Sequence, residues 1–373
     1  MSKKSEYAES GVDYSLLEVF KEMMIAVGKQ TTGFPEARDV RVTTDAIHAH
    51  GAVFEYTGNQ PHVWCNTQEG LGNLNWIAEW MYQYDGTGRS YYDVIGRAAA
   101  LLIAIDVIAQ GAMPVIWTDE AAAGDSEWFA DKIRAADYAR GCFEVCKEIG
   151  MALPAGESPA LRYLIKAEPP VKSAPSLSGC ITGIIAPRSR LITGRNLQVG
   201  DVILGAPSSG LHSNGISLVI KEVMKLKEQF LTKLNGRTVG EECLIPIPSY
   251  VALVEALLEN EIDIHAILPA TGDGVGKIAF DKRAFTYRIH TWWPEIPPLF
   301  LFMKELGVSL EGCLKTFNWG AGIYFYVPRS SVEPAIKVAA EAGYQLLELG
   351  RVEEGDRMTI FEPEGVTLAP PGE

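Results

Sequence analysis

Apolar side chains recur every three to four residues over 14–28, YSLLEVFKEMMIAVG, and this spacing predicts an amphipathic helix. The run 91–110, YYDVIGRAAALLIAIDVIAQ, is apolar almost all round and predicts a buried helix, ended by the Gly and Pro of GAMP. A third helix is predicted over 126–150, with Ser126 as N-cap and Gly150 as the stop. Short strand patterns at 50–57 and 61–67 flank the turn TGNQP. PVIWTDEAA reads as a strand running into a loop.

The rhythm breaks over 154–178, where PAGESPALRYLIKAEPPVKSAPSLS holds five prolines. This stretch reads as a loop running into an interdomain connection. Strand patterns resume at 178–186 and 201–207. Helical patterns follow at 214–230, 249–260 and 333–344, and TFNWGAGIYFYV (316–327) has a glycine-rich start and an aromatic β run. The expectation is an α/β (α+β) chain of two mixed domains, 1–172 and 173–373. No short-period repeat is present.

Composition narrows the function classes. The chain has 373 residues, 47% of them hydrophobic, ample for a buried core. Lys and Arg total 33 against 47 Asp and Glu, a net charge of −14. That balance argues against a general nucleic-acid binder, which needs concentrated cations. A single phosphorylated small molecule, held by backbone amides and a metal, remains compatible with it. The six cysteines form no CxxC pair, and Cys142 and Cys146, four apart, read as core residues on one helix face. MSKKSEYAES lacks the apolar region of a secretory signal, and the longest apolar runs are too short to cross a bilayer. A soluble, cytoplasmic protein with no membrane partner is expected.

Four segments carry candidate chemistry. In QEGLGNLN (68–75), Gly70 and Gly72 let a backbone approach a ligand, and Glu69 is either a Mg²⁺ ligand or an exposed turn residue. Asp106 sits in the apolar run LLIAIDVIAQ, where an ionised carboxylate must be paired, hydrogen-bonded or metal-bound. Glu157 in PAGES belongs to a ligand loop or to a plain surface loop. SSGLHSNG (208–215) follows a strand and precedes a helix, so its amides suit an anion. There His212 either donates a hydrogen bond or exchanges a proton near neutral pH, or is an incidental residue of a capped helix start. His48 and His50 share a strand face without a third ligand nearby, and TGDGVGK (271–277) misses the phosphate-loop spacing and reads as a tight turn.

Taken in order, these segments resemble the aminoimidazole ribonucleotide synthetase (phosphoribosylformylglycinamidine cyclo-ligase) family over nearly the whole chain. ESGVD (9–13) is similar to its AGVD, EGLGNL (69–74) to DGVGTK, IDVIAQGAMPV (105–115) to NDxxxxGAxP, and AGES (155–158) to GGET. SSGLHSNGISL (208–218) is similar to SSGxHSNGySL, the most specific match; TGDG (271–274) lies at TGGG and TFNWGAG (316–322) at TFNxGxG. The resemblance implies an ATP- and Mg²⁺-dependent ring closure of formylglycinamidine ribonucleotide in purine biosynthesis. It also implies a homodimer whose N-terminal halves share a β-barrel, each followed by an α/β C-terminal domain. Its site carries over as Glu69 and Asp106 for the metal and Asp106, Glu157 and His212 for catalysis. Gly70, Gly72, Asn73, Ser209, Gly210, Asn214 and Gly215 carry over for the nucleotide. The sequence departs from the pattern at Glu69, Asn73, Leu74, Ile105, Ala155 and Ser158, and Leu74 removes a phosphate-facing cation. The superfamily's phosphotransferases, and a binding protein without catalysis, are the alternatives these departures raise.

Overall fold

The computed structural model describes residues 6–43 and 51–372; His48 and His50 lie outside the described residues. Two compact units result, residues 1–107 with 114–187, and 108–113 with 188–373. The division falls after Pro187, beyond the proline-rich stretch, because the strand 176–185 pairs with the first unit's strand 63–70.

The first unit runs α1 (Glu6–Glu9), α2 (Tyr14–Thr31), β1 (Val40–Val42), β2 (Phe54–Tyr56), β3 (Val63–Gly70), α3 (Leu74–Tyr84), α4 (Tyr92–Ile108), β4 (Met113–Ala122), α5 (Lys132–Ile149), β5 (Ala152–Glu157) and β6 (Ser176–Ile185). Its main sheet has the order β3-β6-β4-β5, with β3 and β6 antiparallel and β4 and β5 parallel. One face of this sheet is covered by helices: Gly179 meets Ile103 of α4 and the buried Trp117 there. The other face is divided. Ile116, Ala152 and Ile184 pack with Val40 and Val42 of β1, with Phe54 and Tyr56 of β2 against them. Beyond them the face turns polar, with Asn66, Gln68, Thr182, Ser178 and Glu120 exposed or half-buried.

Residue chemistry explains most of these elements. Asp13 caps α2 by accepting from the Ser15 amide. Gly150 ends α5 in the left-handed conformation, as expected of a glycine stop. The start of α5 differs from expectation. Asp131 is its N-cap, accepting from the Ile133 and Arg134 amides, and a 3-10 turn over Glu127–Ala130 precedes it. Ser126 is drawn into tertiary contacts instead, donating to the Gly11 carbonyl and accepting from the Asp13 amide, both at 2.9 Å.

Helix α3 has no periodic signature because residues 74–81 are all buried, Asn75 and Glu79 included. Glu79 is 1% exposed and accepts from Tyr92 Oη (2.7 Å), Trp128 Nε1 (2.7 Å) and Arg134 Nη2 (3.0 Å). One paired carboxylate thereby ties α3, α4 and α5 together. Phe20 of α2 joins the same core, its ring 5.7 Å from Trp128 and 5.6 Å from Tyr138.

The second unit contains β7 (Val202–Pro207), α6 (Ile216–Val223), the hairpin β8 (Lys233–Leu234) and β9 (Arg237–Thr238), α7 (Val239–Cys243), α8 (Val251–Glu259), β10 (Ala266–Pro269), β11 (Phe285–Ile289), α9 (Pro298–Glu305), α10 (Leu310–Thr316), β12 (Ala321–Val327), α11 (Val332–Glu341), β13 (Leu347–Glu354), β14 (Met358–Phe361) and β15 (Val366–Leu368). Seven strands form one sheet in the order β10-β12-β7-β13-β11-β14-β15. Strand β12 is buried at every residue, which is why its sequence is continuously apolar rather than alternating. Helix α6 is shorter than the 214–230 pattern predicts, since Gly215 is left-handed at its start and the chain turns again after Val223. The fold is mixed α/β, as predicted.

Candidate functional site

In the first unit, β3 ends at Gly70, the backbone turns through a left-handed Gly72, and Asn73 occupies the N-cap position of α3. EGLGNL is thus a strand–turn–helix element that presents backbone amides at a helix N-terminus. Leu74, in the position of the motif's lysine, is only 3% exposed and belongs to the core. Glu69 lies on the helix-covered side of β3, on the same side as Cys65 and Thr67. Asp106, half-buried on α4, faces that side too: burial pushes the Cys65 thiol upward, and the Asp106 carboxylate adds to the effect. Ile105 beside it is fully buried.

Glu157 stands apart from this pair. It ends β5 in register with Glu120, on the face opposite Asp119 and Gly156, and its Oε1 accepts from the adjacent Ser158 amide at 2.9 Å. Glu120 in turn accepts from Ser178 Oγ at 3.1 Å. The first unit therefore brings Glu69 and Asp106 to one face and sends Glu157 to the other. Among the described residues, no group of three or more His, Cys, Asp or Glu side chains is arranged to hold a metal.

Asp119 escaped the sequence reading. It is 7% exposed and lies against Gly156, where a Cβ would come within 2.1 Å of Oδ1. Burial pushes its carboxyl up to about 7. It lines a cavity of about 840 Å³ at the β5 edge, together with Gly28, Lys21 and Lys29 of α2, Gly156 and Glu157. A signal was available: in PVIWTDE, Asp119 shares strand parity with Trp117, so an acid occupies an inward position.

In the second unit, SSGLHSNG is a built loop. Ser208 Oγ donates to Asn318 Oδ1 (2.9 Å), and Asn318 Nδ2 donates to the Gly210 carbonyl (2.7 Å). Ser209 Oγ donates to the Pro246 carbonyl, and Asn214 Nδ2 to the His212 carbonyl. Gly272 of TGDG approaches Asn214 Oδ1. The loop's glycines have physical reasons. Gly215 has φ 73°, and a Cβ there would stand 2.4 Å from the Phe317 ring. SSGLHSNG, TGDG and TFNWGAG, far apart in sequence, thus converge within one unit.

His212 is built into this loop. The side chain is 3% exposed, and burial pulls its pKa down to about 3. Its Nε2 accepts from the Ser209 amide at 3.1 Å, so the ring proton resides on Nδ1, a buried atom with no protein partner. A neutral imidazole of this kind holds the loop's shape and does not titrate near neutrality.

Comparison with known proteins gives a coherent result. Residues 80–185 match the family model "AIR synthase related protein, N-terminal domain", and 198–362 match "AIR synthase related protein, C-terminal domain". A phosphoribosylformylglycinamidine cyclo-ligase of Alkaliphilus oremlandii is 34% identical, covering 72% of this chain and 78% of its own. Another, from Limosilactobacillus fermentum, is 30% identical and covers 96% of this chain and all of its own. Among solved structures, the hydrogenase maturation protein HypE in complex with ATP superposes with a TM-score of 0.61 at 17% identity, covering 88% of this chain and 90% of its own. Thiamine-monophosphate kinase from Stenotrophomonas maltophilia K279a gives 0.57 at 15% identity, with 91% and 96% covered.

Proposed function

This chain belongs to the AIR synthase related protein family, and on that premise we propose how its residues serve the family's ring closure. It is an ATP-dependent cyclo-ligase that converts formylglycinamidine ribonucleotide to aminoimidazole ribonucleotide in purine biosynthesis. The observation that carries this reading is the end-to-end similarity to the Limosilactobacillus fermentum cyclo-ligase. In the reaction, the amide oxygen of the substrate takes the γ-phosphoryl group of ATP and ADP leaves. An amidine nitrogen then attacks the activated carbon, its C–O bond breaks, and phosphate departs with that oxygen.

Glu69 and Asp106, both on the helix-covered side of the sheet, are the carboxylates this reading assigns to a Mg²⁺ ion, which takes one or two carboxylates and completes its shell with phosphate oxygens and water. When bound, such an ion neutralises charge on a transferring phosphoryl group. Gly70, Gly72 and Asn73 open the backbone at the α3 N-terminus for a phosphate. Ser209, Gly210, Asn214 and Gly215 form the other anion-binding element, a turn-rich loop whose amides suit an anion, and His212 positions it through the Ser209 amide. Glu157, exposed at a strand end, suits contact with substrate. With Leu74 buried in the core, neutralisation that a lysine would give there has to come from other groups.

The chain acts as a homodimer in this reading. Strand β3 lies at the sheet edge and carries Trp64, Asn66 and Gln68 exposed, an edge that natural proteins cover. No helix among the described residues is long and apolar enough to cross a membrane, and all six thiols are free, in keeping with a reducing, cytoplasmic setting.

The test is direct. Purified protein with ATP, Mg²⁺ and formylglycinamidine ribonucleotide should form the aminoimidazole, detected colorimetrically, and Asp106→Asn should abolish it. Absence of product at saturating substrate rejects the reading. ATP consumption stimulated only by other metabolites would point to a superfamily phosphotransferase.

A further inference from the structure

Beyond the motifs, the first unit holds a second cavity of about 320 Å³, lined by Gly124, Asp125, Arg162, Lys166, Lys172 and Ser173, among others. Three cations line it against one carboxylate, and Asp125 already accepts from the Trp128 amide at 2.8 Å. In a chain of net charge −14, most other arginines are ion-paired: Arg89, Arg97, Arg134, Arg140, Arg237, Arg283, Arg288, Arg329 and Arg351 all meet a carboxylate. Among the described residues, Arg162, Lys166 and Lys172 have no such partner. Unneutralised cations lining one concavity repel each other, and an anion relieves that repulsion.

The cavity wall is also held in place. The loop carrying Arg162 is hydrogen-bonded alongside the exit of β4, with the Leu161 amide donating to the Ala123 carbonyl at 2.7 Å. The Arg162 side chain lies on Gly11 (φ 111°), where a Cβ would come within 2.7 Å of Nε, and Nη1 reaches toward the Glu9 carbonyl at 3.5 Å. Gly11 is itself anchored by the buried Ser126. The ESGVD segment therefore acts as a rest for the guanidinium, at a glycine in the left-handed region.

We propose that this cavity, with Arg162, Lys166 and Lys172, binds the phosphate monoester of the phosphorylated substrate, at a subsite separate from the residues assigned to ATP. A guanidinium fork with two ammonium groups matches a dianionic monoester better than a single carboxylate. The volume suits a sugar phosphate. The inference rests on the ring-closure reading above for the identity of the ligand, and its test is independent of turnover.

Binding of ribose 5-phosphate to the full chain is measured by calorimetry at low salt, for the parent and for Arg162→Gln and Lys172→Gln. Each variant is expected to weaken binding by about tenfold or more, as loss of a charge-assisted hydrogen bond does. In steady state, each should raise KM for the ribonucleotide by a similar factor and leave KM for ATP within about twofold. Both side chains are exposed, and an unchanged circular dichroism melt verifies the fold. Parent protein that closes the ring while both variants keep KM for the ribonucleotide overturns the inference and leaves the activity standing. Parent protein that binds ribose 5-phosphate through Arg162 but closes no ring upholds the subsite and overturns the activity. A rise confined to KM for ATP assigns the cavity to nucleotide and overturns the proposal, as does the absence of ribose 5-phosphate binding by the parent.

Discussion

Replacing Asp119 by asparagine isolates the energetic cost of one buried acid. The substitution keeps the side chain's shape beside Gly156 and removes its ability to ionise. In the folded chain, burial raises the carboxyl from 3.8 to about 7. That rise corresponds to about 4 kcal/mol between the protonated and ionised forms. The native state binds the proton more tightly than the unfolded state does. Below about pH 3.8 both states are protonated and the group costs nothing. As pH rises the unfolded chain ionises first, so native stability falls, and the loss is complete above about pH 7. Asp119→Asn should therefore gain on the parent by about 4 kcal/mol between pH 4 and pH 8. Urea unfolding of both proteins across that range reads the difference, and contributions from all other groups cancel. A difference that stays constant within about 0.5 kcal/mol from pH 5 to pH 8 refutes the reasoning, whatever the absolute stabilities. If the carboxylate also serves the 840 Å³ cavity, the same variant loses ring closure as it gains stability, a trade common at functional sites.

Three further outcomes are expected. Gly215→Ala places a Cβ 2.4 Å from the Phe317 ring at a left-handed position, so it should lower stability by about 1–3 kcal/mol and depress Tm; an unchanged Tm contradicts the packing. Glu79→Ala leaves Arg134 without its buried carboxylate and should cost about 3–5 kcal/mol by denaturant titration, whereas a loss under 1 kcal/mol means the network holds little together. His212→Asn should leave the shape of the kcat/KM profile between pH 6 and 8 unchanged, because burial holds the imidazole neutral there; disappearance of an acidic limb would restore a proton-transfer role.

Legibility varied with the kind of signal. Helix α2 and the Gly150 stop were plain in sequence because their apolar spacing and turn chemistry are local. Helix α3 was not, since burial on all sides erases the period that marks an amphipathic helix. Strand β5 lay across the start of a segment read as loop, its Pro154 and Gly156 tolerated because β5 lies at the edge of the sheet. The site followed the same division. EGLGNL and SSGLHSNG stood out by their glycines and order, while Asp119 passed unnoticed inside an apolar strand.

The order of the motifs by itself determined the family and the reaction, because chemistry that needs close backbone approach leaves glycines at set intervals along the chain. Tertiary structure alone decided which polar groups share a surface. Strand alternation and register put Glu69 on the helix-covered face and Glu157 on the other, and no local rule in the sequence specifies which strand lies beside which. Burial, which depends on everything packed around a residue, made His212 a neutral support of its loop and Asp119 an acid titrating near neutrality.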